Sequence, residues 1–177
     1  MQTVVMNPTE AELHLSGHVG LLRLIWAVRK GWQRRFNQGH GAGDHVGGAF
    51  GECMLAKHKG VFWSGSVGEI YSADVGGCYQ VRATNLSEGQ LILHKTVYDK
   101  DGKIIKEDKD WQPFVLARIL LPEIHLVGWS WGWEGKQEKH WRTQGVRYPA
   151  YFSMPEHDMA TLPSEAEVMA GKPKDAA

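Results

Sequence analysis

Five residues carry the chemistry this chain could perform: Glu52, Asp74, and the run Gln80-Val81-Arg82. Glu52 sits in "GAFGECMLAKHK", a stretch with helical spacing. Taken alone it reads as a surface glutamate at the edge of that helix. Asp74 stands before Gly76-Gly77, a turn signal. Gln80 and Arg82 alternate with Tyr79, Val81 and Ala83, which puts the two polar side chains on one face of a strand. Each residue alone fits a solvent face. Together they make an acid from a helix, an acid from a turn, and a polar pair ending in a cation. A hard divalent ion takes oxygen ligands, and magnesium is commonly held by one or two carboxylates plus waters. A cation beside it offsets charge on a phosphate in the transition state.

The order of these residues resembles the PD-(D/E)xK nuclease superfamily. There an Asp is followed by an acid, one residue and a lysine, often with a further Glu in the preceding helix. The chain also resembles an uncharacterised family of small tailed-phage proteins. That likeness runs through "GAFGECMLAKHKGVFWSGSVG", "ADVGGCYQVRAT", "LILHK", "HLVGWSWGWEGK" and "YPAYFSMPEHDM", which lie within roughly residues 9–160. The nuclease resemblance implies Glu52, Asp74, Gln80 and Arg82 as catalytic residues. It implies Mg2+ or Mn2+ held by Glu52, Asp74, Gln80 and the Val81 carbonyl, and DNA as substrate. Two positions depart from the pattern, with Gln80 at the acid and Arg82 at the lysine. An amide oxygen ligates without adding charge, so metal affinity should fall. An arginine does not shuttle protons but clamps phosphate well. The other reading is a catalytically inactive protein on the same fold that binds nucleic acid or a host protein, for example in countering host defence.

The elements that position these residues follow from periodicity. "NPTEAELHLSGHVGLLRLIWAVRKGWQRRF" reads as a helix capped by Asn7 or Thr9, with acids in its first turn and basic residues in its last. A second helix runs from about His45 to Lys59, capped by Asp44 and stopped by Gly60. "CYQVRAT" and "GQLILHKTV" suggest two antiparallel strands joined by "NLSEG". "DKDGKIIKEDKD" reads as a charged, solvated loop. "PFVLARILLPEIHLVGWSWGW" gives two strands broken at Pro122, with Trp129, Trp131 and Trp133 all facing one way. The expected fold is α+β, a mixed or mainly antiparallel sheet flanked by the two N-terminal helices, with a restriction-endonuclease-like core. Residues 1–163 form one domain, and 164–177 read as a polar, flexible tail.

Composition narrows the partners. Among 177 residues, Lys+Arg and Asp+Glu number 20 each, so DNA contact requires a local basic patch. Lys136, Lys139 and Arg142, with Trp141 among them and Arg147 beyond, are the candidates. The paired His14 and His18 lack an evident third zinc ligand, and the two cysteines have no zinc spacing. No apolar run approaches a membrane span. With no basic n-region before an apolar stretch, the expected location is the cytoplasm, that of the host cell if a phage encodes the chain. Phosphate-loop, dinucleotide and serine-hydrolase motifs are absent.

Overall fold

The computed structural model describes residues 2–31, 42–68, 73–98, 101–102, 104–144 and 149–171. It is an α+β fold in which two N-terminal helices pack beside a mixed sheet. Strand β1 (Val4–Met6) precedes helices α1 (Glu10–Arg29) and α2 (Ala42–Lys59). Then come β2 (Gln80–Thr84), β3 (Leu91–Leu93), β4 (Val97–Tyr98), β5 (Ile104–Lys106), β6 (Pro113–Leu120) and β7 (Glu123–Trp131). The short helix α3 (Gly132–Gly135), β8 (Trp141–Arg142), β9 (Ala150–Ser153) and α4 (Glu165–Gly171) complete the order.

Thr9 starts α1. Its hydroxyl accepts from the Glu12 N–H while Glu12 returns the bond to the Thr9 N–H. That reciprocal pair satisfies two helix-end donors. On the inner side of α1, a Cβ at Gly20 would lie 2.5 Å from the Val46 Cα, so only glycine lets α1 and α2 approach this closely. Gly51 brings α2 close to the sheet, where a Cβ would make a tight contact, 3.0 Å from the Ala117 and Val81 side chains.

The main sheet runs β1-β7-β6-β2. β6 and β7 form an antiparallel hairpin turning at a cis Leu121-Pro122 peptide, while β2 lies parallel to β6. The expected hairpin of "CYQVRAT" with "GQLILHKTV" is therefore replaced, because β3 pairs instead with β9. The reason is burial on both sides. Val81 packs with Leu55, Val115 and Ala117 on the α2 side. Leu91 and Leu93 instead cover Phe114 and Leu116 on the other face.

Two more expectations change. Residues 164–171 are not a frayed tail: α4 buries Val168 completely in the core, and the Tyr79 hydroxyl donates to the Pro163 carbonyl just before it at 2.7 Å. Residues 172–177 lie outside the described residues. The tryptophans also part company. Trp129 and Trp131 lie in β7, but the strand ends at Trp131 and Trp133 is 56% exposed on α3. A Cβ at Gly132 would meet the Lys109 carbonyl at 2.3 Å, so the chain must turn there through a glycine.

Candidate functional site

The edge of β2 brings the carboxylates together. A tight turn, Val75–Cys78, precedes the strand, with Gly76 and Gly77 at φ +57° and +72°. Only glycine takes such angles freely. The turn returns the Asp74 carboxylate to the strand, where Oδ2 accepts the Val81 N–H at 2.7 Å. Among the described residues Asp74 forms no ion pair of its own. Burial pushes its pKa up, the Glu52 charge pushes it further, and Arg82, the Val81 N–H and Arg23 pull it back only in part.

Glu52 is buried at 5% exposure, not on the surface as its helix edge suggested. Gly51 beside it sets α2 so close to the sheet that the next side chain is enclosed. Its partner is Arg23 of α1, which binds it two-pronged, Nη1 to Oε1 at 2.6 Å and Nη2 to Oε2 at 2.8 Å. The Trp63 indole N–H adds a third bond at 3.1 Å. Burial works against the Arg23 charge, but the bonds and charge of Glu52, with the charge of Asp74, outweigh it and raise its pKa. The Arg23 Nε donates to the Ser66 carbonyl at 2.9 Å, which fixes the fork in place.

Arg82 and Gln80 come from the other face of the strand. The Arg82 guanidinium lies 5.1 Å from the Phe114 ring, opposite the face on which Val81 meets α2. It donates to Asp108 Oδ1 at 2.7 Å, to the Ile92 carbonyl at 3.2 Å, and to Gln80 Oε1 at 3.4 Å. The second Asp108 oxygen accepts the His94 N–H at 2.7 Å and meets His94 Nδ1 at 3.2 Å. Burial opposes the Asp108 charge, yet Arg82 and His94 hold its carboxyl well below the usual carboxylate range. The residues therefore meet at the strand edge instead of on one sheet face. Asp74 is the link, feeling Glu52 and Arg23 from the α2 side and Arg82 from the other.

Three participants escaped the sequence reading. Arg23 stands in the apolar run "LLRLIWAV", where a lone charge signals a buried partner. Trp63 gave no signal. Asp108 lay in a segment read as solvated, but it is 5% exposed because Arg82 and His94 enclose it. His94, which follows β3, joins this network through both its backbone N–H and its ring.

The anticipated basic patch does not present one surface. The Lys136 ammonium is tied to Asp110 Oδ1 at 2.7 Å and to the Asp108 carbonyl. Trp141 packs at a tilt against Tyr151, ring centroids 4.8 Å apart, beneath Lys95, and Arg142 lies over Phe152 at 5.3 Å. Lys139 is exposed in a 3-10 turn, Glu138–His140. Arg147 lies outside the described residues.

A divalent ion tests the donor set. Asp74, Glu52, the Gln80 amide and the Val81 carbonyl are all oxygen donors, which suits a hard cation. The raised Asp74 pKa marks a carboxylate short of positive charge. Against this, both Glu52 oxygens are engaged by Arg23, and the Gln80 amide oxygen and the Val81 carbonyl each accept from Arg82 Nη1 at 3.4 Å. Among the described residues no group of three or more His, Cys, Asp or Glu side chains is arranged to hold a metal. Also among them, no helix is long and apolar enough to cross a membrane. Comparison with family models, with curated proteins and with solved structures finds no match.

Proposed function

We propose that the chain is a metal-dependent nuclease of the PD-(D/E)xK type, hydrolysing DNA phosphodiester bonds. One observation carries this reading above the rest. Asp74 is half-buried at a strand edge, where the charge of a second carboxylate helps to raise its pKa, in the turn that leads into the Gln80-Val81-Arg82 run. A carboxylate perturbed by desolvation and a specific like charge is a candidate functional residue. Asp74 and the Val81 carbonyl would hold the ion, with Gln80 and Glu52 completing its oxygen set. Bound there, it would supply positive charge that acidifies a water and offsets the phosphate. Arg82 then acts as the phosphate clamp, its guanidinium already oriented by Asp108 and the Ile92 carbonyl. Asp74 must be ionised for this work, so activity should rise as pH passes through about 6.

A second reading is favoured by a specific feature. Arg23 already neutralises Glu52, and Gln80 adds no charge, which suits an inactive nuclease fold that binds nucleic acid or a host protein. A time course on linear and nicked DNA separates the two, with magnesium and then manganese, for the parent, Asp74→Asn, Gln80→Glu and Arg82→Ala. The nuclease reading expects cleavage by the parent, none by Asp74→Asn, at least parental rates for Gln80→Glu, and slower cleavage by Arg82→Ala. Cleavage that survives Asp74→Asn, or silence from all four with DNA still bound, sinks it.

A further inference from the structure

The outward side of α1 is unlike the outward side of an ordinary helix. Its inner side packs on α2 through Ser16, Val19, Gly20 and Ala27. Its outer side carries Leu15, Leu21, Leu22, Ile25 and Val28, each 37–54% exposed. None of the exposed positions between Glu10 and Arg29 carries Asp, Glu, Lys or Arg. A contiguous apolar face of this kind marks an interaction surface.

The pattern on that face specifies its partner. The exposed residues Ala11, His14, His18, Leu21, Ile25 and Val28 recur at intervals of three and four, the seam of a coiled-coil-like contact. The seam is symmetric about the midpoint between residues 19 and 20. Turned end for end about that point, Val28 falls opposite Ala11, Ile25 opposite His14, and Leu21 opposite His18. The two halves differ in relief. Around the N-terminal half lies an open groove lined by Glu10, Leu13, His14, Gly17, His18 and Leu21. At Gly17, among the described residues, no atom stands within 4 Å of where a Cβ would be. The C-terminal half presents the exposed side chains of Ile25 and Val28 beyond that groove. Charge follows the same symmetry, with Glu10 in the first turn and Arg29 in the last. An antiparallel pair sets acid and base at the same level at both ends and opposes the helix dipoles.

We propose that this face is the interface of a homodimer, in which α1 of a second copy lies antiparallel across α1 and the Ile25 and Val28 side chains of each copy cover the open groove of the other. This is an isologous contact, closed by one two-fold axis. It does not depend on the nuclease reading.

The test is sedimentation across a concentration series. The parent should approach twice the monomer mass of 19.9 kDa. Leu21→Glu/Ile25→Glu alters only exposed positions and should weaken association at least 100-fold while keeping the parental circular dichroism. Register is read by cross-linking, which the buried Cys53 and Cys78 leave clear. A mixture of Ala11→Cys and Val28→Cys chains should form the mixed disulfide dimer. Ala11→Cys alone should not, because its two copies would sit about 25 Å apart at 1.5 Å rise per residue. A parent that stays monomeric throughout overturns the proposal. So does a dimer indifferent to the double variant, an Ala11→Cys chain that links to itself as readily, or a monomer that uses this face to bind anionic lipid vesicles.

Discussion

Replacing Asp74 by Asn isolates the charge that the fold tolerates least. The Asp74 pKa is raised from 3.8 to about 6, first by burial and then by the charge of Glu52. The folded chain therefore holds the Asp74 proton more tightly than the unfolded chain does. Between about pH 4 and pH 6 the folded state binds more protons, so stability falls as pH rises through that window. Below it the carboxyl is neutral in both states and nothing is lost. Above it the full penalty applies, and at about 1.4 kcal/mol per pH unit this is roughly 3 kcal/mol. Asn keeps an oxygen for the Val81 N–H and carries no charge, so the variant should escape the penalty. Urea melts should show the variant equal to the parent near pH 4 and more stable by roughly 2–3 kcal/mol at pH 8, a rise in Tm of roughly 5–10 °C for a chain of this size. Millimolar magnesium at pH 8 should close the gap by stabilising the parent alone, since an ion that binds only the folded state shifts the equilibrium by mass action. A variant no more stable than the parent at pH 8, or a difference that does not change with pH, would refute the reasoning.

Two further outcomes follow from the same geometry. Arg23→Met leaves the Glu52 charge buried without its fork and should destabilise by about 3–5 kcal/mol in metal-free urea melts. If Arg23 and an ion compete for Glu52, the same variant should gain more Tm from magnesium than the parent does; an equal gain would place the ion elsewhere. Val168→Ala removes two buried methyl groups from a fully enclosed site and should cost about 2 kcal/mol, seen as a Tm lower by roughly 4–8 °C. An unchanged Tm would mean that α4 adds nothing to the core.

Local signals were readable and long-range pairings were not. The Thr9 cap with Glu12, the stop at Gly60 and the break at Pro122 each depend on residues a few positions apart, and each stands in the structure. β2 was misassigned because neighbouring strands usually pair as hairpins. Here it pairs in parallel with β6, whose partner residues lie more than thirty positions away. Glu52 was read as exposed for a similar reason. Its environment is made by Arg23 from one helix and Trp63 from the segment after α2, and no period within its own helix reveals either. What could be read was local placement, with Gln80 and Arg82 on one face of a strand and Asp74 at the turn before it. A turn and a five-residue strand place those three with little help from the rest of the fold.

The charges at the β2 edge do not balance, and the imbalance has a direction. Two guanidinium groups, Arg23 and Arg82, face three carboxylates, Glu52, Asp74 and Asp108. Glu52 and Asp108 each have an arginine, so the surplus negative charge falls on Asp74. A phosphodiester approaching this edge meets repulsion from that surplus. A divalent cation meets attraction, and once bound it turns the local sign positive. On the nuclease reading the metal must therefore arrive before the DNA or with it. Arg82 alone cannot hold a phosphate firmly while Asp108 takes most of its charge. The arginines thus have two effects. They let the fold bury Glu52 and Asp108, and by leaving the half-buried Asp74 without an arginine of its own they would, on the nuclease reading, confine the demand for a cation to the carboxylate that holds the Val81 N–H.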